Sequence, residues 1–374
     1  MTALAHQVPS HPDEVAPPPE PFKIWRPSDF ANYVPPPDHD LLGQGLLTKG
    51  NLTLLVGHGG VGKSRLAVAL AVAQITGRTH FCGLPVKRPP RRWLFIGSEN
   101  SAARWKTDLE KLTGTLPEDE RQRVDDNLLV AGTFEDEQGL QDLAASSGRI
   151  GSTIRDGQPG VIVFDPWADL CPGDENKTDE CRSGITQLRT VTRKHAPEAA
   201  ALLIAHARPG RDAISSGTDA YAGGSFLRGN KALYNSCRSM LCLVPGDKED
   251  STRLVLICGK CNDGPRFEPR GVIFNPEDFS YQPDPDFDLA AWRDDVDGKR
   301  RGHKVSISDI CDVVRSGNRT TEKIVDALKQ QASPRTIKER LSEAVGNSWL
   351  IRAGKGQYVL GPKFNDTLHE GEQS

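Results

Sequence analysis

The stretch Gly57 to Ser64, GHGGVGKS, constrains this chain more than any other part of it. It matches G-x-x-x-x-G-K-[ST] at every fixed position, follows the apolar run LTLLV and opens the helix-forming run SRLAVALAVA. Strand, glycine-rich turn and helix in that order aim backbone N–H groups and a helix N-terminus at one point, where anionic oxygens are favoured. The glycines permit the tight turn, Lys63 reaches the β- and γ-phosphates of a nucleotide, and Ser64 is placed to ligate Mg²⁺. Gly57, His58, Gly59, Gly60, Val61, Gly62, Lys63, Ser64 and the adjoining Arg65 are the candidate nucleotide-binding residues.

Such a turn works inside a parallel sheet, and the following sequence has the pattern of one. LTLLVG, KSRLAVALAVAQITG, WLFIGSE, a helix around RWKTDLEKL, LLVAG, a helix around GLQDLAASS, VIVFDP, a helix around ITQLRTVTRKH, and ALLIAH alternate strand-like and amphipathic helical patterns. The alternation predicts an α/β fold, a doubly wound, mostly parallel sheet with helices on both faces. SMLCLVP, TRLVLICGK and GVIFNP follow with no helix between them and predict an antiparallel extension.

Flanking composition sets the boundaries. Residues 1–20, rich in Pro, Ala and acid, predict an unpacked tail. Residues 21–45 form an arm whose Phe22, Ile24, Trp25, Phe30 and Tyr33 are suited to docking on its own domain or on a neighbouring subunit, the former being the simpler expectation. The nucleotide-binding domain is placed at 46–280, a Pro-, Asp- and charge-rich linker at 281–303, a small domain at 304–361 and a tail at 362–374.

Three further strands end in polar residues, and neighbouring parallel strands deliver their C-terminal ends to one crevice. VIVFD ends in Asp165, the position of a carboxylate that holds the Mg²⁺ shell. Many P-loop ATPases place a catalytic glutamate directly after that aspartate, where this chain has Pro166. The base must therefore come from another strand, and Glu99, after LFIGS, is the leading candidate to orient and deprotonate the attacking water. His206, which ends ALLIAH, is the candidate γ-phosphate sensor.

Bulk properties narrow the class. A formal net charge of −3 over 374 residues gives no global basic signature, so any nucleic-acid surface must be local. No apolar run approaches the roughly 20 residues of a membrane span. The N-terminus lacks the basic start and apolar core of a signal peptide, so the expectation is a cytoplasmic protein with no membrane partner. Among eight cysteines only Cys258 and Cys261, in CGKC, have C-x-x-C spacing, with no second pair to complete a zinc site. Reduced thiols are expected.

Between Lys299 and Gly361 basic residues outnumber acidic ones about two to one. VSISDICDVVRSG, TTEKIVDALKQQ and SPRTIKERLSEAV read as three helices, and GNSWLIRAGKGQYVLG as a hairpin. That order predicts a winged helix-turn-helix. Ser333 is the expected N-cap and Pro334 the first residue of the third helix, with Ile337, Leu341 and Val345 on its apolar face. Arg335, Thr336, Lys338 and Arg340 remain for a DNA groove or its phosphates, and Lys355 for a wing tip. Docking of a protein partner is the alternative use of such a module.

Taken in order, GLLTKGNLTLLVGHGGVGKSRLAVALA, WLFIGSEN, VIVFDPWADLCPGDEN, LLIAHARPG, GGSFLRGNKALYNSCRSMLCL and GKCNDGP resemble the RecA-like ATPases of the plasmid RepA replicative-helicase type, with DnaB and KaiC more distant. The resemblance covers about Leu41 to Asn275. It implies a ring-forming, usually hexameric, ATP- and Mg²⁺-dependent helicase of plasmid or phage type, with nucleotide between subunits and single-stranded DNA in the channel. A primase, initiator or loader is an implied partner. Glu99 aligns with the family's base, GDEN (173–176) with an acidic loop, and RPGRDAISSGTDAYAGG with channel loops. Arg238 aligns with an arginine acting on the neighbour's phosphate, and Lys260 with a lysine near the same phosphate. Asn262 stands where DnaB-type enzymes have their arginine, which leaves the task to Arg238 or else Arg228. A RecA- or KaiC-like recombination or repair ATPase without unwinding, and a nucleotide-regulated DNA-binding regulator, fit the same motifs.

Overall fold

The computed structural model describes residues 23–87, 91–132, 143–208, 221, 224–229, 231–247, 249–296, 305–329, 331, 334–354 and 356–364. Phe22, Ser333, Lys355 and nearly all of the expected channel loops lie outside the described residues. Contacts divide the chain into Met1–His39 and Asp40–Ser374.

In the first unit a short helix, Pro27–Ala31, begins at a proline, and the Arg26 N–H donates to Asp29 at 2.7 Å. Trp25 stacks on Phe30 with ring centroids 5.2 Å apart and meets Tyr33 edge-on at 6.1 Å. Within this unit Ile24, Phe30, Tyr33 and Val34 are exposed.

The second unit is built on a nine-stranded sheet. In chain order its strands are β1 (Leu52–Gly57), β2 (Trp93–Gly97), β3 (Leu128–Ala131), β4 (Val161–Asp165), β5 (Ala200–His206), β6 (Ser239–Pro245), β7 (Arg253–Cys261), β8 (Arg270–Phe274) and β9 (Tyr281–Pro283). Their spatial order is β9-β8-β7-β6-β1-β5-β4-β2-β3. The six strands from β6 to β3 are parallel, whereas β7, β8 and β9 are antiparallel. SMLCLVP is thus not part of the antiparallel extension. The short helix Lys231–Ser236 precedes it and brings the chain back to run parallel to β1, and the extension starts one strand later.

Alternate residues of these strands enter two cores. Leu52, Leu54 and Val56 face one side of β1, and Leu55 the other. Burial on both faces explains the unbroken apolar runs. The helix after the P-loop, α1 (Lys63–Ile75), is buried on nearly every side, so its sequence lacks the polar stripe of a surface helix. Helices α2 (Ala102–Thr113), α3 (Leu143–Gly157) and α4 (Thr178–His195) follow. Ser101 caps α2 by accepting from the Arg104 N–H, and Ile185, Leu188 and Val191 bury one stripe of α4.

The expected linker at 281–303 requires correction. β9 pairs with β8, and α5 (Leu289–Val296) sends Trp292 and Val296 into the core that contains Leu54. Beyond it, α6 (Ile307–Arg315), α7 (Thr321–Leu328), α8 (Pro334–Gly346) and the hairpin β10 (Leu350–Gly354) with β11 (Gln357–Leu360) share a separate core. In α8 that core takes Ile337, Leu341 and Ala344 fully and Val345 in part. Among the described residues no helix is long and apolar enough to cross a membrane.

Candidate active site

Two register pairs assemble one end of the sheet. Gly57 at the end of β1 lies opposite His206 at the end of β5, and Gly97 at the end of β2 opposite Asp165 at the end of β4. Gly97 permits this close approach, since a Cβ there would stand 2.3 Å from the Asp165 carbonyl oxygen. Glu99 follows two residues later and is exposed.

The P-loop has the backbone its glycines imply. Gly60 and Gly62 have φ of 77° and 94°, values that L side chains rarely adopt. A side chain at Gly59 or Gly60 would enter open space, so the inner turn leaves room for a ligand's phosphates. The Lys63 ammonium donates to the His58 carbonyl oxygen at 3.0 Å.

The charged groups act on one another. Burial lowers Lys63 from its ordinary value, and the carboxylates of Asp165 and Glu99 pull it back up. Burial pushes Asp165 up to about 6; the Ser64 hydrogen bond opposes this, and the Glu99 charge adds to it. His206 is held below its ordinary value by burial and then by Lys63, against the pull of Glu99. Lys63, Asp165, Glu99 and His206 therefore share one site, as the strand-end argument predicts.

Asp165 Oδ1 is buried and has no hydrogen-bond partner among the described residues. An unmatched buried carboxylate oxygen is costly unless a cation or ordered water meets it. Together with the Ser64 hydroxyl, this set of hard oxygen donors fits Mg²⁺. When bound, the ion neutralises charge on β- and γ-phosphate oxygens.

Several neighbours escaped sequence reading. The Asn100 amide lies 3.5 Å from Asp165 Oδ2. The Tyr281 hydroxyl donates to the Gly62 carbonyl oxygen at 3.3 Å, and the Arg65 guanidinium lies 4.0 Å from the centre of the Phe279 ring. The aromatic run DFSY, Asp278 to Tyr281, was the available signal, but its contact with the P-loop spans more than two hundred residues.

Arg228, the second choice for a cation serving a neighbour, lies on this same side of its own sheet. Its N–H donates to the His206 carbonyl oxygen at 2.9 Å, and its side chain pairs with Glu175 of the GDEN loop at 2.9 Å. Arg238 and Lys260 lie at the other end. The Arg238 N–H donates to the carbonyl oxygen of Leu52, the first residue of the strand that Gly57 ends. Its guanidinium grips Asp263 through two bonds of 3.2 and 2.9 Å. Lys260, aligned by resemblance with a lysine near the neighbour's phosphate, ends its path within its own chain. It is buried, and its ammonium donates to the Tyr234 carbonyl oxygen at 2.8 Å.

Of the expected nucleic-acid contacts, Arg335 and Lys338 are exposed on α8, and Thr336 is half-buried. Arg335 pairs with Glu339 at 2.9 Å, and Arg340 with Glu343. Among the described residues no cluster of His, Cys, Asp and Glu forms a further metal site, Cys258 and Cys261 included.

Comparison with solved structures finds a KaiC-like protein from the hyperthermophilic archaeon Pyrococcus horikoshii, at 13% identity and a TM-score of 0.45, covering 66% of this chain and 99% of that one. No curated protein matches the chain. A family model described as an AAA domain matches residues 16–212, from the end of the tail through the arm, the P-loop, Glu99, Asp165 and His206. Its match and the nucleotide cradle agree: the chain belongs to this AAA domain family of P-loop ATPases.

Proposed function

We propose that this chain is a RecA-like motor of the RepA replicative-helicase type, which assembles as a ring, usually a hexamer, and moves along single-stranded DNA. The observation that carries the reading is the separation of Lys63 from Arg238. The P-loop begins at the last residue of β1 and Arg238 bonds to its first, about 16–17 Å apart at strand rise. Arg238 therefore has no route to its own nucleotide and serves only one held by another copy. In such an assembly Lys63 and the loop N–H groups hold the phosphates, and Ser64 and Asp165 hold Mg²⁺. Glu99 takes the proton of the attacking water, and Arg238 of the neighbour offsets charge on the transferring group.

The helical order and separate core of residues 305–364 support reading that segment as a winged helix. Arg335, Thr336, Lys338 and Lys355 are its proposed DNA contacts, and a primase, initiator or loader is a further proposed partner.

Native mass in ATP, followed by strand displacement on a forked duplex, tests the reading. The expected result is a ring for wild type and Glu99→Gln alike, with unwinding only by wild type. A ring with ATP turnover but no displacement indicates a RecA- or KaiC-like ATPase instead, and negligible turnover unaffected by single-stranded DNA indicates a regulator. Near-normal turnover by Glu99→Gln overturns the assignment of the base.

A further inference from the structure

Between the end of β2 at Gly97 and the start of α2 at Ala102 lie Ser98, Glu99, Asn100 and Ser101. All but Glu99 are tied down. The Ser98 hydroxyl donates to Asp169 Oδ2 at 2.8 Å, and the Asn100 amide lies 3.5 Å from Asp165 Oδ2. Ser101 accepts from the Arg104 N–H and so fixes the start of α2. Glu99 is exposed and makes no hydrogen bond or ion pair among the described residues.

Asp169 stands on a firm support. It belongs to the short helix Trp167–Leu170, which follows β4 after Pro166. Trp167 and Leu170 are 1% and 0% exposed and lie in the core that contains Leu54. Asp165 and Asp169 therefore meet the loop from one anchored stretch of chain, the same stretch that holds Gly97 in register. A hydroxyl that donates to a carboxylate makes a charge-assisted bond, stronger than one between neutral groups. Because Asp169 is exposed, the bond buries nothing. What it sets is direction: with Ser98 and Asn100 held, the Glu99 backbone is placed and only its side-chain rotamers stay free. A reacting group misplaced by about 1 Å loses about 100-fold in rate, so fixation of this kind acts on turnover.

We propose that Ser98 and Asp169 are a positioning pair for Glu99, clamping its loop so that the glutamate meets the water that attacks the γ-phosphate. Asn100 is a second, weaker tie to Asp165. Both members of the pair act through Glu99 and not on the nucleotide. The inference rests on Glu99 being the base and adds to that reading the residues that aim it.

Full-length Asp169→Ala and Ser98→Ala test it separately. Each is expected to lower kcat about tenfold with ATP affinity within about twofold of wild type, and the double variant no further than either alone. Asp169→Asn and Ser98→Thr, which keep an acceptor and a donor, are expected to recover most of the loss. Without nucleotide, amide hydrogen exchange over residues 98–101 is expected to quicken in both alanine variants, with the melting temperature unchanged within error. A double-mutant cycle with Glu99→Gln separates positioning from a merely structural role. Once the base is removed, Asp169→Ala is expected to change the residual single-turnover rate by less than about twofold.

Wild-type kcat in Asp169→Ala overturns the proposal and leaves Glu99 as the base. A tenfold loss that persists in the Glu99→Gln background also overturns it, because Asp169 then acts on the reaction by another route. So does a loss confined to ATP affinity, which makes the pair part of the nucleotide cradle. Near-normal turnover by Glu99→Gln removes both this inference and the assignment of the base on which it rests.

Discussion

The Lys63 ammonium donates to the carbonyl oxygen of His58, so the lysine of the P-loop is held by the loop it serves. Asp165 and Glu99 add their charge to the same ammonium. A triphosphate must draw Lys63 from a single neutral acceptor to several anionic oxygens, and such charge-assisted bonds are roughly twice as strong as neutral ones.

Replacing Lys63 with Met removes that gain and leaves Asp165 and Glu99 without their shared cation. ATP affinity is expected to fall by about 100-fold, or about 2.7 kcal/mol. Titration with a fluorescent nucleotide measures the loss. An unchanged affinity would mean that the loop N–H groups alone hold the phosphates.

Asp165 supports a prediction of opposite sign for stability. Its folded value of about 6 lies above the ordinary 3.8, so the fold favours the protonated acid. That preference stabilises the fold at acid pH and is lost progressively as pH rises through the window from 3.8 to about 6. Asp165→Asn is expected to melt higher than wild type above pH 6, in the absence of nucleotide and Mg²⁺. The gain is on the order of 1–3 kcal/mol at most, less what Lys63 loses with its counter-charge. The same variant is expected to bind ATP without response to Mg²⁺. Thermal melts at pH 5 and pH 8 check the sign, and a variant that gains nothing on going to pH 8 contradicts it.

How much of this arrangement is readable from sequence depends on the distance over which each residue finds its partner. The P-loop, Asp165, Glu99 and His206 were readable because each ends or follows a strand, and parallel strands in register carry their ends to one edge. The direction of β6 was not, because a short helix six residues long decides it and SMLCLVP has the same pattern either way. The partner of Lys260 was not readable either, because its acceptor, the Tyr234 carbonyl, lies 26 residues away on another element. The segment after β8 looked like a linker because Asp and Pro dominate QPDPDFD, yet Tyr281, Phe287 and Trp292 punctuate it.

Trp292 separates those two descriptions. It is 7% exposed, stacks at 6.4 Å from Tyr221 and lies 6.1 Å from Phe287. Trp292→Ala leaves a cavity in the core of the nucleotide-binding unit and is expected to cost about 3–5 kcal/mol. A residue in a solvated linker changes stability by about 0.5 kcal/mol or less. The melting temperature of the full chain distinguishes the two, and a shift within error restores the linker.

Arg335 and Lys338 provide the test of what α8 touches. Both are exposed, while Ile337 between them is fully buried, so the helix presents its cations away from its own core. If they neutralise DNA phosphates, each releases a counterion, and affinity falls with salt in proportion to the number of contacts. Lys338→Ala is expected to weaken binding evenly across sequences and to lower the slope of log K against log salt by about 0.7–0.9. Arg335→Ala should lower it less, because Glu339 already pairs with that guanidinium and must release it first. Fluorescence anisotropy at several salt concentrations measures both slopes. Slopes equal to wild type in both variants assign the face to a protein partner, since only contacts with a polyanion carry the counterion signature.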